Sequence, residues 1–164
     1  MISNETMRNG ENRDLSDAAT SVGLRNAEVI KLFFSLYLKD KDHFYSLWVR
    51  DDPQVLTPFI TGRRASRAIA VHQGWMAVKA FWDPIFDEMK GSFDWFIDEM
   101  IIGQDPNVIV VKSHSHVDVL AGERWGNKTV RYDGIYVQIF KFRNGLVASF
   151  EEYFDTALLG LAYS

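Results

Sequence analysis

Apolar residues recur at helical spacing through the first half of the chain, and they predict three helices. Residues 26–38 are apolar on most sides, so the first helix should be packed on both faces. A short second helix follows a polar turn at residues 39–42. The third should run through residues 75–89, with a kink or restart at Pro84, because proline lacks the N–H of the helical bond.

Segments with a strand pattern predict a short hairpin and then a longer meander. Residues 54–60 and 68–72 form the hairpin, and Pro58 places its first strand at a sheet edge because proline cannot donate to a ladder. An Asn-Gly turn joins the last two of the longer strands. These longer strands are predicted at residues 92–102, 108–120, 129–142 and 145–155.

Together these elements predict an α+β fold. A strongly bent, mostly antiparallel sheet should wrap around three N-terminal helices and leave a cone-shaped cavity between sheet and helices. The polar residues 1–20 are predicted to be a flexible arm, and residues 21–164 a single domain. The apolar tail at residues 157–162 should fold over the mouth of the cavity or onto a partner subunit.

The last predicted strand carries one carboxylate among apolar neighbours. Strand side chains alternate between two faces, so Ala148, Phe150, Glu152 and Phe154 share one side. An ionised carboxylate is unfavourable there, so the pKa of Glu152 should rise and make it a candidate proton carrier near neutral pH. The alternative is a bulge or register shift that lets Glu152 reach water or an arginine. Parity alone does not decide between the two.

Composition narrows the class of protein. The 164 residues include 12 Phe, 6 Tyr and 5 Trp, which indicates a core or pocket lined with rings. The absence of cysteine excludes disulfides, thiolate metal sites and cysteine nucleophiles. A net charge of -4 without long charged runs argues against nucleic-acid binding or a polybasic membrane patch. Since the sequence has neither a bilayer-spanning apolar stretch nor a signal-type N-terminus, we expect a cytoplasmic protein.

A polar row on the strand predicted at residues 108–120 is a second candidate for chemistry. Lys112, His114, His116 and Asp118 occupy alternate positions and share one face. A His–Asp pair can act as a general base, and His114 is the residue that could turn inward at a bulge. The apolar opposite parity favours instead an outer sheet face or a dimer contact for this row.

Cofactors are not expected from the sequence. Two histidines at this spacing could share a metal ion, but no third ligand is evident, so no metal site is predicted. The sequence has no glycine-rich phosphate loop and no Gly-x-Ser-x-Gly motif, so no nucleotide or flavin cofactor is implied.

Five short strings stand in a characteristic order along the second half of the chain. They are Trp95-Phe96-Ile97-Asp98-Glu99, Asp105-Pro106-Asn107, Tyr132-Asp133-Gly134-Ile135-Tyr136, Phe140-Lys141-Phe142-Arg143-Asn144-Gly145 and Glu151-Glu152-Tyr153-Phe154-Asp155. In this order and spacing they resemble the NTF2-like superfamily, which includes ketosteroid isomerases and SnoaL-like polyketide cyclases. Within it the chain is most similar to the PhzA/PhzB proteins of phenazine biosynthesis. The resemblance covers roughly residues 26–160.

The resemblance implies that Glu152 is the acid/base residue, which is also the residue that parity singles out. Other positions depart from the relatives. Where PhzA/PhzB proteins carry a helical histidine that binds a carboxylated substrate, this chain has Phe81-Trp82, which argues against that substrate. The string that holds the base of ketosteroid isomerases is here Val55-Leu56-Thr57-Pro58. Their second aspartate falls at Gln138, whose amide can still donate a hydrogen bond. Steroid isomerisation in the strict sense is therefore not expected.

The sequence thus favours a cofactor-free acid/base enzyme that acts on a cyclic or polyketide-like small molecule of secondary metabolism, as an isomerase, a cyclase or a PhzA/PhzB-type condensing enzyme. Glu152 would carry the proton, Gln138 and Tyr136 would hold a substrate oxygen, and His114 is a further catalytic candidate. Alternatives are a binding module without catalysis and a dehydratase that uses a strand histidine. A homodimer through the sheet is also expected. The residues predicted to contact the substrate are Trp48, Thr57, Trp82, Phe86, Trp95, Tyr136, Phe140 and Phe154.

Overall fold

The computed structural model describes residues 4–57 and 70–162. The predicted helices and strands follow one another in the expected order, and a further short helix comes after the last strand. The helices are α1 Asn4–Leu36, α2 Lys41–Ser46, α3 Trp75–Glu88 and α4 Thr156–Ala162. The strands within these ranges are β1 Gln54–Thr57, β2 Ala70–Gln73, β3 Met89–Ile102, β4 Val108–Ala121, β5 Lys128–Arg143 and β6 Leu146–Phe154. None of the described helices is both long and apolar enough to cross a membrane.

The strands form one mixed sheet in the order β2-β1-β6-β5-β4-β3. β1 pairs in parallel with β6, and every other neighbouring pair is antiparallel. Buried and exposed residues alternate along β4 and β5, so one face of the sheet is covered and the other is open. This is the α+β architecture that the sequence predicts.

Two register shifts interrupt the long ladders. The pairing of β3 with β4 shifts around Asp98, and the pairing of β5 with β6 shifts around Ala148. An extra residue in one strand of a pair increases the local twist and bends that strand. These positions therefore account for a sheet that bends around the helices.

The core lies between the helices and the covered face of the sheet, and Phe33 of α1 is at its centre. Its ring centroid lies 4.6 Å from that of Phe44, 5.1 Å from that of Phe140 and 5.2 Å from that of Phe150. All four side chains are at most 1% exposed. Phe33 follows Ile30 at helical spacing, and both are buried, so one stripe of α1 rests on the sheet.

One detail of the predicted organisation differs from the structure. β1 is not an edge strand, because it pairs with β2 on one side and β6 on the other. Pro58, on which that prediction depended, lies outside the described residues, as do the hairpin turn and the ends of the two strands that flank it. Residues 4–20 are part of α1, and their flexibility as an arm stays a prediction. A polar segment has no apolar stripe to reveal a helical period, so its pattern does not indicate a helix.

The apolar tail forms the short helix α4 beside the cavity described below. Leu159 of α4 lines that cavity and packs against an apolar cluster on the covered face of β4 and β5. Of the two places predicted for the tail, the structure therefore shows the one at the cavity.

Candidate active site

A cavity of about 90 Å³ lies on the covered face of the sheet, next to Tyr37 at the end of α1. Its aliphatic wall consists of Ile85, Met89, Val117, Val119, Val130 and Leu159. Its aromatic wall consists of Phe81, Trp82, Phe93, Trp95 and Phe154, together with Tyr37, Tyr132 and Tyr136. Glu152 is the one carboxylate among the described lining residues, and none of them is a lysine, arginine or histidine.

Glu152 reaches this cavity because β6 alternates as its sequence predicts. The residue lies two positions after buried Phe150 and two before Phe154, which also lines the cavity. Burial raises the pKa of Glu152 to about 7, and a hydrogen bond from Gln138 opposes that rise. At neutral pH the side chain therefore exchanges between its acid and carboxylate forms, as a general acid or base requires.

Gln138 on the neighbouring strand β5 contacts the Glu152 carboxyl group. The two residues are directly opposite each other on β5 and β6, and Gln138 Nε2 donates to Glu152 Oε2 at 3.2 Å. Ser113 Oγ donates to Gln138 Oε1 at 3.0 Å, which directs the amide nitrogen toward the carboxyl group. Gln138 is fully buried and is not part of the cavity lining. It is therefore placed to orient Glu152 rather than to contact a ligand.

A second polar chain runs beside the first. The hydroxyl groups of Ser115 and Tyr136 lie 2.9 Å apart. Burial raises the pKa of Tyr136 far above its usual value, and the nearby Glu152 raises it further, so Tyr136 stays a phenol and can donate a hydrogen bond. The Tyr132 hydroxyl lies close to this pair, yet it makes no hydrogen bond of standard geometry with any residue that the structure describes.

Gly134 makes room for these two tyrosines. A Cβ at this position would lie 2.4 Å from the Tyr136 hydroxyl and 2.6 Å from the Tyr132 hydroxyl, so both side chains occupy the space that a larger residue would fill. Gly134 is opposite Ser115 on β4. Small residues at the middle of both strands therefore let the phenols fold onto the sheet beside Glu152.

The cavity can thus perform acid/base chemistry. Glu152 can take up or release a proton, and the Tyr136 phenol can donate to an oxygen in the same space. Aromatic walls can hold a flat ring and reduce its contact with water. Among the described residues, no three histidine, aspartate or glutamate side chains are grouped closely enough to hold a metal ion.

His114 does not belong to this cavity. It lies exposed on the open face of the sheet, where its Nδ1 is 2.8 Å from Asp98 and its ring stacks on Phe96. The bulge that was expected to turn His114 inward lies instead at Asp98 on the neighbouring strand, so β4 keeps its alternation. His116 also lies on the open face and pairs with Asp133. The interpretation that places this row on the outer face agrees with the structure.

The structure brings together only part of the predicted substrate-binding set. Trp82, Trp95, Tyr136 and Phe154 line the cavity with Glu152. The remaining four are buried elsewhere: Trp48, Phe86 and Phe140 pack in the core, and Thr57 lies at the end of β1. These four side chains have the predicted inward direction, but other side chains separate them from the cavity.

Several residues of the site were missed. Tyr132 shares the parity of Tyr136 and Gln138 on β5, so the same alternation could have identified it. Ser113 and Ser115 are the two polar residues on the otherwise apolar face of β4, which was a usable signal. Tyr37 and Leu159 could not be found in this way, because they meet the cavity only through tertiary packing.

Comparison with known proteins supports the fold. No protein-family model matches the sequence, and no curated protein matches it either. Among solved structures, a phenazine biosynthesis-related protein from Pseudomonas aeruginosa aligns with a TM-score of 0.71 and 16% identity over 90% of both chains. A protein from Jannaschia sp. CCS1 that is described as a SnoaL-like polyketide cyclase aligns with a TM-score of 0.64 and 13% identity, over 86% of this chain and 92% of that one.

A computationally designed binder of 17-OHP has the same overall arrangement, with a TM-score of 0.57 and 17% identity over 82% of this chain and 93% of the designed one. Proteins described as NTF2-like from two Burkholderia species are also similar in structure. At these identities the alignments establish the fold and not the activity. The chain has the NTF2-like fold, with the structural resemblance to SnoaL-like and phenazine-biosynthesis proteins that its sequence predicted.

Proposed function

We propose that this protein is a cofactor-free acid/base enzyme that acts on a small cyclic or polyketide-like molecule. The observation that carries the proposal is Glu152, a carboxyl group with a pKa near 7 in a ring-lined cavity. Structural neighbours include proteins described as a polyketide cyclase, an epoxide hydrolase/cyclase-like enzyme and an isomerase, which supports small-molecule chemistry in such a cavity.

The reaction class that fits these groups is proton transfer next to a carbonyl group. As a carboxylate, Glu152 removes a proton from the carbon beside the carbonyl, and the electron pair moves toward the carbonyl oxygen. The protonated Tyr136 phenol donates to that oxygen as its charge develops. Glu152 then returns its proton to the same or a neighbouring carbon. This sequence gives an isomerisation, and it also prepares a ring closure or the loss of a leaving group.

The proposal is tested by hydrogen–deuterium exchange of 2-tetralone in heavy water, followed by proton NMR. The wild-type protein should accelerate exchange at the carbons beside the carbonyl, with a rate that rises as the pH passes through about 7, where Glu152 loses its proton. Glu152→Gln is nearly isosteric and should reduce the catalysed rate about 10²- to 10⁴-fold, the usual contribution of a general base.

Glu151→Gln is the matched control for this test. It is the same substitution one residue away, where the carboxylate accepts from the Tyr153 hydroxyl and does not line the cavity. This variant should keep the wild-type exchange rate. Equal exchange by the wild type and Glu152→Gln would reject the proposed mechanism.

A binding protein without catalysis is the second candidate. The designed binder among the structural neighbours supports it, because that protein was made to hold a ligand in this fold. In this case Glu152 would hydrogen-bond a ligand, and ligand binding would persist without any proton exchange. The dehydratase alternative is not retained, since its histidine, His114, lies on the open face.

We also infer a homodimer formed through the open face of the sheet. Apolar side chains that are at least 39% exposed gather there on β3, β5 and β6, namely Phe96, Ile135, Val137 and Tyr153. Val137 and Tyr153 are directly opposite each other in the ladder, so the patch is continuous across strands. Sedimentation should show a dimer at micromolar concentration and a monomer for Ile135→Lys. A wild-type monomer at this concentration would contradict the inference.

A further inference from the structure

The cavity beside Glu152 is smaller than the ring compounds that suit its walls. Its volume is about 90 Å³. An engineered apolar cavity of about 150 Å³ binds a single benzene molecule. Pockets for larger ligands commonly measure about 300 to 1,000 Å³. A ring compound can therefore enter the cavity only if part of the wall moves.

Most of the cavity wall belongs to elements that are firmly held. The lining residues of the sheet are part of the long ladders that join β3, β4, β5 and β6. α3 contributes Trp82, and the same helix buries Val78 and Phe86 in the core. Tyr37, at the end of α1, is buried as well. Moving any of these elements would break ladder hydrogen bonds or open the packed core, and both are unfavourable.

The short helix α4 is the part of the wall that is held least. It has seven residues and includes Gly160, whereas isolated helices below about 12 residues are marginal and glycine weakens them further. Leu159 and Ala162 are half-buried against the sheet, and the rest of the helix is exposed. A Cβ at Gly160 would have no neighbour within 4 Å. Few buried contacts are typical of a segment that opens locally.

Leu159 is the residue through which α4 reaches the cavity. Its side chain lines the cavity, whereas Leu158 is 42% exposed and Leu161 is 72% exposed, so α4 separates this side of the cavity from solvent by a single layer. Asp155 lies between β6 and α4 and caps the helix, since its Oδ1 accepts from the N–H groups of Ala157 at 2.9 Å and Leu158 at 3.0 Å. The cap keeps the first turn together, so α4 can move as a unit about this end.

We propose that α4 is a lid over the cavity and that Leu159 determines the size of the ligand that the cavity accepts. A ring compound enters when α4 moves away from the sheet, and it takes the space that the Leu159 side chain fills in the free protein. The inference rests on the proposed function only in placing the ligand in the same cavity as Glu152. It adds that selection by size lies in α4, whereas the acid/base chemistry lies in the sheet.

The binding of two ketones of different size tests the role of Leu159. 2-Tetralone has two fused rings, and cyclohexanone resembles its ketone ring alone. Titration calorimetry gives the ratio of their affinities. Leu159→Ala should raise the preference for 2-tetralone roughly three- to tenfold, because the larger ligand no longer has to displace a half-buried leucine. Leu158→Ala is the matched control, since it is the same substitution on a neighbour outside the cavity lining, and it should keep the wild-type ratio.

Thiol labelling follows the movement of α4 itself. The chain contains no cysteine, so Leu159→Cys and Leu158→Cys each carry a single thiol. Their reaction with iodoacetamide is measured by mass spectrometry. Without a ligand, the thiol of Leu159→Cys should react more slowly than that of Leu158→Cys, because position 159 is half-buried and position 158 is exposed. Saturating 2-tetralone should accelerate the reaction of Leu159→Cys several-fold, since the ligand displaces this side chain from the cavity, and should leave Leu158→Cys unchanged.

The outcomes are distinct from those of the exchange experiment. A wild-type affinity ratio in Leu159→Ala, or labelling of Leu159→Cys that 2-tetralone leaves unchanged or slows, would overturn the inference even if Glu152 catalyses exchange. Failure of both ketones to bind at millimolar concentration would overturn it as well. Conversely, a shifted ratio and faster labelling without exchange would reject the acid/base proposal and leave this one standing.

Amide hydrogen exchange of the wild type decides the matter if the variants at position 159 do not fold. The Leu159 N–H donates to the Asp155 carbonyl oxygen at 3.1 Å within the first turn of α4. Once α4 leaves the sheet, a helix of this length frays, so 2-tetralone should speed amide exchange along α4. Unchanged or slower exchange there, with 2-tetralone bound, would show that the ligand lies beneath a helix that has not moved.

Discussion

The covered face of β5 and β6 has two regions, a closely packed core and a cavity, although the same two strands form both. At one end, Phe140 and Phe150 lie directly opposite each other and are sealed by Phe33 of α1. At the other end, Tyr136 and Glu152 face the cavity. Phe150 and Glu152 are two residues apart on one strand and point the same way, yet one belongs to the core and the other to the candidate active site.

What differs is the layer above the sheet and the size of the residues within it. α1 ends at Leu36, so Tyr37 is its last contribution to the wall, and α3 and α4 close the rest incompletely. Within the sheet, the small residues Gly134 and Ser115 lie at the cavity end, whereas large side chains fill the core end. In apolar surroundings a carboxyl group takes up a proton rather than remain an unpaired charge, and Glu152 is in this position at the less completely packed end of the face.

The largest expected effect is a loss of stability when a ring is removed from the packed core region. Phe150→Ala should lower the free energy of unfolding by about 3 to 5 kcal/mol, because it leaves a cavity beneath α1 that the packed rings cannot fill. Phe154→Ala removes the same side chain beside the existing cavity and should lower it by about 1 to 2 kcal/mol. Urea denaturation of both variants gives the comparison. Equal losses would mean that the two regions are packed to the same degree.

The second prediction concerns the stability of the cavity region and its dependence on pH. The pKa of Glu152 rises from 4.5 to about 7 on folding, so the native state binds this proton more tightly than the unfolded state. Its contribution to stability is therefore fully present below pH 4.5 and is lost as the pH rises through 7. Glu152→Gln does not titrate and should be more stable than the wild type by about 3 kcal/mol at pH 8.

Thermal and urea unfolding at pH 4.5 and pH 8 measure this difference. At the lower pH, wild-type Glu152 is largely protonated and resembles glutamine, so the two proteins should be close in stability. Glu151→Gln, the same substitution on a side chain that does not line the cavity, is the control for the loss of a carboxylate from this strand. If Glu152→Gln had no stabilising effect at pH 8, the carboxyl group would not be held in an unfavourable environment.

These two regions also show which features a local sequence pattern can predict and which it cannot. Alternation along β6 identified Glu152, and helical spacing identified the stripe of α1, because both patterns are local. The parallel pairing of β1 with β6 joins residues far apart in the chain, so Pro58 alone gave the wrong position for β1. Parity also predicted the face of the sheet on which Phe140 lies, but not that α1 covers it completely. The partner of the Gln138 amide depends on the register of three strands, which no local pattern contains.

A smaller effect is expected from closing the gap in the sheet beside the tyrosines. Gly134→Ala places a methyl group within contact distance of both phenol groups, and they must move away from the strand. Overpacking of this kind lowers the free energy of unfolding by about 1 to 3 kcal/mol. The exchange rate of 2-tetralone should fall with it, since Tyr136 would no longer lie where it donates. Gly145→Ala is not a suitable comparison, because that glycine has a φ of 76°.

The smallest expected effect separates the two serines that support the site. Ser113→Ala removes the bond that orients the Gln138 amide, so the amide no longer holds its N–H toward Glu152. That N–H lowers the pKa of Glu152, and its loss should move the midpoint of the pH–rate profile for exchange upward by less than about one pH unit. Ser115→Ala deletes the same hydroxyl two residues along the strand, but its partner is Tyr136. It should lower the exchange rate through Tyr136 and leave the midpoint in place. An identical profile shift in both variants would mean that loosening this face of the sheet, and not the orientation of Gln138, controls the proton affinity of Glu152.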